Sequence, residues 1–284
     1  APANVIHIKL DGTGGGTSWE DAAAPASLDW AVAQSAVSKD AVPPLEVWVA
    51  GGDYERTESL FMEKGAKMYG GFAGNETELS ERDLSKTSNA TILRKIKTKW
   101  QDKDAGSIVL AVGTEDKTGL LTARDTIMDG FTITGGTGSN YFVGGSYFFG
   151  GGLYTDTSNI KVANCTFVSN SVNASGGAIF NAGGESEQSY PLLVNCTFSG
   201  NKAVNTPPSA QAGTGSAIYN YYSDITVVNC TFADNETNST SSATIHNESS
   251  SPVIINSIFW NNKGNIQGEV FSETTLRIAH PAAK

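Results

Sequence analysis

Apolar and polar positions alternate in a short motif that recurs through the second half of the chain. The motif reads Asn-Cys-Thr-Phe, or Asn-Ser-Ile-Phe in its last copy, and each copy ends on a second asparagine, at residues 164–170, 195–201, 229–235 and 256–262. The copies begin 31, 34 and 27 residues apart, and a degenerate copy occupies residues 130–136. A constant motif with variable spacers is typical of a solenoid, in which each repeat forms one coil and extra residues leave it as loops.

Two further apolar segments recur in phase with this motif. One contains Gly-Gly-Ala-Ile or a relaxed form of it, at residues 151–154, 176–181, 215–220 and 242–247. The other is a run of β-branched and apolar residues, at 160–163, 192–194, 225–228 and 253–255. Three short strands per repeat predict an all-β fold, a parallel β-helix whose coils stack about 4.8 Å apart. Chirality favours right-handed connections between its parallel strands.

The alternation also predicts which side chains point into this solenoid. Residues two apart in a strand share a face, so the cysteine and phenylalanine of each repeat point one way and the threonine the other. Stacking the repeats predicts two inward columns, Phe131, Cys165, Cys196, Cys230 and Ser257, and Ile133, Phe167, Phe198, Phe232 and Phe259. The outward column is Thr132, Thr166, Thr197 and Thr231.

Asparagines close two of the three strands in each coil. One set is Asn170, Asn201, Asn235 and Asn262, and the other is Asn181, Asn220 and Asn247. Asparagine tolerates left-handed backbone, which suits the bends between strands, and stacked asparagines can bond from coil to coil. Such a repeat creates Asn-x-Thr triplets by itself, so these triplets are weak signals of glycosylation.

The first half predicts the beginning of the same single domain, residues 1–284. Residues 1–45 are expected to form an N-terminal cap with a helix at about 27–37, because Leu28, Val32 and Ala36 have helical spacing. Ser27 is the expected helix cap. Residues 46–126 then form irregular early coils that begin with a strand at 46–50, residues 127–262 form regular coils, and residues 263–284 form the C-terminal end.

Composition narrows the classes of function. A net charge of −10 argues against nucleic acid and anionic membrane surfaces as partners. No segment approaches the roughly 20 apolar residues of a membrane helix, so membrane insertion is not expected. The chain begins without a basic and apolar leader, and we expect that a signal peptide has been removed. Three cysteines without a Cys-x-x-Cys spacing favour free, buried thiols, although a disulfide between neighbouring coils is geometrically possible.

The Phe-x-x-Asn and Gly-Gly-Ala-Ile motifs carry a resemblance to known proteins. Phe-x-x-Asn occurs at 167–170, 198–201, 232–235 and 259–262, and Gly-Gly-Ala-Ile occurs in full at 176–179. These repeats resemble those of polymorphic outer-membrane proteins, which are bacterial adhesins, and the chain resembles the pectate-lyase-like superfamily of right-handed β-helices. The resemblance implies a secreted or cell-surface protein. Its residues are structural, so it implies the fold more strongly than any activity.

Catalytic signals are sparse in this sequence. Uronate lyases need a base beside a cation held by acidic oxygens, and glycosidases need two close carboxylates. The acids of the repeat region do not recur in register. Arg124, Asp125 and Asp129 form the densest charged group near a strand, which favours a loop ion pair over a lyase site. No metal or cofactor is predicted. Residues 102–106 match a calcium loop poorly, and His7, His246 and His280 are far apart in sequence. His246 occupies the repeat position of Phe180 and Tyr219, which favours a structural role.

An aromatic insertion interrupts the repeats between two coils. Glycines border it, and its candidate binding residues are Tyr141, Phe142, Tyr147, Phe148 and Phe149. Aromatic rings on a loop can stack on sugars or anchor a protein partner. The alternative is that the insertion packs along the side of the solenoid. Tyr219, Tyr221 and Tyr222 are expected to extend the same surface.

Two classes of function follow from these patterns. The first is a non-catalytic secreted or cell-surface protein that binds a polysaccharide or a host or cell-surface partner. The second is a polysaccharide lyase or glycoside hydrolase that acts on an extracellular polysaccharide. They differ in whether acids and a base from successive coils converge in one groove, which the linear sequence does not show.

Overall fold

The computed structural model describes residues 4–96, 106–113, 125–140, 148–204, 213–238 and 243–263, together with the backbone of two short strands at 266–267 and 277–279. The described residues contain one α-helix, α1 (Leu28–Val37), and 26 strands, β1 to β26 in chain order. Three short 3-10 helices complete the regular structure, Pro25–Ser27, Leu79–Glu81 and Thr87–Asn89.

The strands form three long parallel sheets and one short one. Sheet 1 contains β1 (Val5–Ile8), β2 (Glu46–Ala50), β5 (Lys67–Phe72), β8 (Ile127–Asp129), β11 (Lys161–Ala163), β15 (Leu192–Val194), β19 (Thr226–Val228) and β23 (Val253–Ile255). Sheet 2 contains β3 (Gly52–Arg56), β6 (Thr91–Lys95), β9 (Phe131–Thr134), β12 (Thr166–Val168), β16 (Thr197–Ser199), β20 (Thr231–Ala233), β24 (Ile258–Trp260) and β26 (Arg277–Ala279). Sheet 3 contains β4 (Leu60–Phe61), β7 (Val109–Val112), β10 (Leu153–Asp156), β14 (Ile179–Ala182), β18 (Ile218–Tyr221), β22 (Ile245–Glu248) and β25 (Ile266–Gln267). Sheet 4 contains β13 (Ser171–Val172), β17 (Lys202–Ala203) and β21 (Glu236–Thr237).

From β2 to β24 the chain visits sheets 1, 2 and 3 in turn, once per coil, and from β12 onward a sheet 4 strand is inserted between sheets 2 and 3. Each strand pairs in parallel with its counterpart one coil away, as β11 does with β8 and β15. The fold class predicted from the repeats, an all-β parallel β-helix with an N-terminal helix, is confirmed.

The predicted inward columns line the interior of the solenoid. Each of their ten side chains is at most 1% exposed. The phenylalanine rings stack from Phe167 through Phe198 and Phe232 to Phe259, with centroid distances of 5.1, 4.7 and 4.6 Å. The three cysteines are buried free thiols, as the sequence favours. The outward threonines of the same strands are partly exposed, so the predicted strand faces are confirmed.

The strand-closing asparagines form hydrogen-bonded ladders. The amide of Asn201 donates to Oδ1 of Asn235 at 3.0 Å and accepts from the amide of Asn170 at 3.0 Å. The second set repeats this pattern, because the amide of Asn181 donates to Asn220 and that of Asn220 to Asn247, both at 2.8 Å. The predicted hydrogen bonds between stacked asparagines of successive coils are therefore confirmed.

The prediction that these asparagines have left-handed backbone is wrong. Left-handed φ values instead occur at the first asparagine of each repeat, between 46° and 55°, and at the residue before each ladder asparagine of sheet 2, as at Ser169. The ladder amides point into the solenoid and bond the next coil, so the preceding residue makes the bend.

The N-terminal cap contains one element that the sequence analysis missed. Strand β1 pairs with β2 and adds a strand to sheet 1 before the expected first coil. Helix α1 lies where the spacing predicts it, and its Leu28, Val32 and Ala36 are buried in the main core. Ser27 does not cap the helix through its side chain, since it ends a 3-10 turn and already has helical φ and ψ.

Candidate functional site: the aromatic flank of sheet 3

The outer side of sheet 3 carries a column of stacked rings. Parallel register aligns Tyr154, Phe180, Tyr219 and His246 on neighbouring strands. Their centroids lie 5.3, 5.3 and 4.9 Å apart in that order. Tyr154 and Phe180 are buried, whereas Tyr219 and His246 are partly exposed. His246 thus replaces an aromatic residue of the column, as its position in the repeat predicts.

A second outward column runs beside the rings, two residues further along each strand. It aligns Asp156, Ala182, Tyr221 and Glu248. Tyr222 follows Tyr221 with a left-handed φ of 48°, and the two rings meet edge to face at 4.8 Å. We call the four partly exposed rings Tyr219, Tyr221, Tyr222 and His246 the aromatic flank.

Two exposed carboxylates border the aromatic flank. The hydroxyl of Tyr219 donates to Glu248, one coil further along, and the hydroxyl of Tyr222 donates to Oε1 of Glu185 at 3.0 Å. Burial, with the neighbouring Glu248, raises the pKa of Tyr219, so its hydroxyl remains a donor at physiological pH. Each carboxylate therefore has one oxygen held by a tyrosine while the group faces solvent.

Two of the five candidate binding residues of the aromatic insertion, Phe148 and Phe149, lie among the described residues. Tyr141, Phe142 and Tyr147 lie outside the described residues. Phe148 is partly buried, and its backbone N–H donates to Oδ1 of Asn173 at 2.8 Å. Phe149 is only 4% exposed and packs on the ring of Phe180 at 4.8 Å. Its assignment as an exposed binding residue is therefore corrected, and the packing alternative holds for Phe149.

The charged group near Asp129 is a structural ion pair. Arg82, from an earlier coil, donates to Oδ1 of Asp129 at 3.2 Å and to the carbonyl of Gly70 at 2.8 Å. The same Asp129 oxygen accepts from the amide of Asn164 at 3.0 Å. Arg124, the partner suggested by the sequence, lies outside the described residues. The ion-pair interpretation of Asp129 holds, with a different arginine.

The described residues form neither a metal-binding cluster nor a membrane-spanning helix. Within the described segments, no three His, Cys, Asp or Glu side chains are grouped so that they could hold a metal ion. The ten residues of α1, the one α-helix in those segments, are too few to cross a membrane. No protein-family model, curated protein or solved structure matches this chain.

Glu185 and Glu248 are the site residues that sequence reasoning missed. The acids of the repeat region do not recur in register, so neither residue stands out in the sequence. Glu248 follows Asn247 as Tyr221 follows Asn220, so extending the repeat alignment by one residue places Glu248 beside the tyrosines. Glu185 carries no such signal, because it lies in a turn between two repeats.

Proposed function

We propose that this protein is a non-catalytic, secreted or cell-surface binding protein, and that the aromatic flank binds carbohydrate. The observation that supports the proposal is the set of four partly exposed rings bordered by the exposed carboxylates of Glu185 and Glu248. Aromatic faces stack on the apolar faces of sugars, and carboxylate oxygens accept hydrogen bonds from sugar hydroxyls.

The rigidity of the flank favours binding. Tyr219 is stacked between Phe180 and His246, at 5.3 and 4.9 Å, and its hydroxyl is bonded to Glu248. Tyr222 is held by Glu185 and by the edge of Tyr221. Side chains that are already ordered lose little conformational entropy when a ligand binds, so more of the contact energy remains as affinity.

The spacing of the acids in this column argues against glycosidase chemistry. Burial raises the pKa of Asp156, as a general acid would need. Asp156 and Glu248 lie three strands apart in one column, however, which is about 14 Å at the usual strand spacing. Glycosidase carboxyl pairs lie about 5 to 9.5 Å apart. The lyase or hydrolase alternative therefore gains no acid pair from this column.

A glycan array and a panel of soluble polysaccharides test this function. Tyr221→Ala and Glu248→Gln should each weaken binding of the best ligand about tenfold, which corresponds to about 1.4 kcal/mol, because the first removes a stacking ring and the second removes a charged hydrogen-bond acceptor. Tyr190→Ala is the matched control, because Tyr190 is also exposed but lies outside the flank, and it should bind normally. Release of unsaturated uronides or reducing ends by the purified protein would contradict the non-catalytic assignment.

A further inference from the structure

The outer side of sheet 2 carries a second regular surface. Strands β9, β12, β16, β20 and β24 align two outward columns, Thr132, Thr166, Thr197, Thr231 and Ile258, and Thr134, Val168, Ser199, Ala233 and Trp260. We call these ten residues the threonine face. At about 4.8 Å per strand, it is about 19 Å long.

Charge is absent from this face. None of its ten side chains is ionisable, although the chain has a net charge of −10. The columns become charged on the flanking strands at both ends, where Arg94 aligns with Thr134 and bonds Asp53, and where Arg277 of β26 aligns with Ile258. A surface without charge neither attracts nor repels an ion, so its ligand is expected to be neutral.

Three threonine hydroxyls of the face are available to a ligand, whereas Thr134 is buried. Thr166, Thr197 and Thr231 are partly exposed, and no hydrogen bond joins their hydroxyl oxygens to another described side chain or backbone group. A threonine hydroxyl both donates and accepts. Three such groups, one per coil, form a row in which the distance between hydroxyls is set by the spacing of the strands.

Two large apolar side chains end the face. Trp260 is 46% exposed and Ile258 is 45% exposed, on the strand β24. Their neighbours one coil away are the smaller Ala233 and Thr231. The indole therefore projects beside a strip of small side chains. The core of this fold does not require a tryptophan at that outward position, because the equivalent residues are Ala, Ser and Val.

From these features we infer that the threonine face is a binding site for an extended, neutral polysaccharide, with one sugar stacked on Trp260 and the following sugars bonded to the threonine row. Indole gives the largest aromatic face for such stacking, and a row of hydroxyls can exchange hydrogen bonds with sugar hydroxyls. The site is on sheet 2, whereas the aromatic flank is on sheet 3, so the inference does not depend on the function proposed for the flank.

Depletion assays with insoluble polymers test the site. The full chain is mixed with microcrystalline cellulose, with chitin and with insoluble β-1,3-glucan, and the unbound fraction is measured. We expect binding to at least one of them that changes little between about 0.05 and 0.5 M salt, because no ion pair is involved. Trp260→Ala should weaken this binding about tenfold or more.

Matched variants separate the site from folding and from other exposed aromatic side chains. Thr197→Val with Thr231→Val removes two hydroxyls at nearly constant shape and should also weaken binding. Trp30→Ala truncates a tryptophan that is 52% exposed on α1 and should bind normally. Equal unfolding midpoints for all variants exclude misfolding as the cause.

Three results would overturn the inference. The first is no binding to any of the three polymers, and the second is wild-type binding by Trp260→Ala. The third is a dimer, seen by light scattering, that Trp260→Ala dissociates while no polymer binds. That result would assign the face to a second copy of this chain.

Discussion

At the scale of single residues, His7 lies between two tryptophan rings at the N-terminal end of the solenoid. Its ring centroid is 4.6 Å from that of Trp19 and 5.7 Å from that of Trp48, and the side chain is fully buried. Nδ1 lies 3.1 Å from the carbonyl of Gly16, so the neutral ring donates there. Nε2 has no partner among the described residues. Burial lowers the pKa of His7 despite the opposing effect of the Gly16 carbonyl.

This lowered pKa predicts that the protein loses stability in mild acid. Above pH 6.5 the imidazole is neutral in both states, and its stabilising contribution is complete. As the pH falls below 6.5, the unfolded chain binds a proton that the folded chain resists, so stability is lost until the lowered folded pKa is reached. The slope cannot exceed about 1.4 kcal/mol per pH unit for one proton.

Denaturant unfolding between pH 7.5 and 5.5 measures this effect. His7→Asn, which keeps a donor for Gly16, should reduce the pH dependence of the free energy of unfolding. His246→Gln removes a partly exposed histidine and should leave most of the dependence in place. An unchanged slope in His7→Asn would show that other groups cause the acid sensitivity.

At the scale of elements, the strands of the regular coils divide their residues between two environments. In β16, Phe198 is fully buried and stacks on Phe167 and Phe232, whereas Thr197 on the other face is partly exposed. The backbone is the same for both positions. Only the direction of the side chain differs, which makes this strand a direct test of the inward and outward assignment.

Phe198→Ala should therefore be severe and Thr197→Ala mild. Truncating a buried phenylalanine costs about 3 to 5 kcal/mol of stability, because transfer energy is lost and a cavity remains between two stacked rings. A surface substitution usually changes stability by less than about 0.5 kcal/mol. Thermal and denaturant unfolding midpoints measure the stability of both variants. Equal losses at the two positions would contradict the assignment of Phe198 to the inward face and Thr197 to the outward face.

The elements also show why the sequence predicted some parts of this fold and missed others. The coils from residue 127 to 262 repeat, so each copy corroborates the strand period of the others, and Phe167, Phe198 and Phe232 could be placed without coordinates. Strand β1 is four residues long and has no copy elsewhere in the chain, so the repeat pattern could not indicate it. The sequence left the place of Phe149 open, because an aromatic residue in a glycine-bordered insertion can face either solvent or a neighbouring ring. That choice depends on a contact with Phe180, 31 residues away in sequence, which only the folded structure provides.

At the scale of the whole molecule, the coils are coupled mainly to their neighbours. Stacked phenylalanines, the two asparagine ladders and the parallel strand pairs all join one coil to the next. In such a solenoid, stability is approximately the sum of coil energies and nearest-neighbour interfaces. An end coil therefore opens by breaking one interface, whereas a central coil must break two, so side chains inside the central coils should be protected from solvent in the native state.

The three cysteines, in successive coils, provide natural reporters of this protection. Cys165, Cys196 and Cys230 are each 1% exposed, and burial raises the pKa of Cys165 to about 12 and also raises that of Cys196. Thiol reagents react with the thiolate, so burial opposes labelling at all three cysteines. The raised pKa also opposes it at Cys165 and Cys196, whereas the hydrogen bond with Cys196 lowers the pKa of Cys230. We expect all three to stay unlabelled under native conditions and to react across the unfolding transition. Cys230 should precede Cys165, since it lies nearer the C-terminal end of the stack.

Labelling in increasing urea, with mass spectrometry to assign each site, measures the order. Thr197→Cys is the matched control, because it places a thiol beside Cys196 in sequence but on the outward face of β16, and this thiol should react rapidly in the native protein. Native labelling of all three natural cysteines as fast as this control would contradict their place in the core. Labelling of Cys165 well before Cys230 would instead contradict opening from the C-terminal end and would place the weakest interface among the early coils.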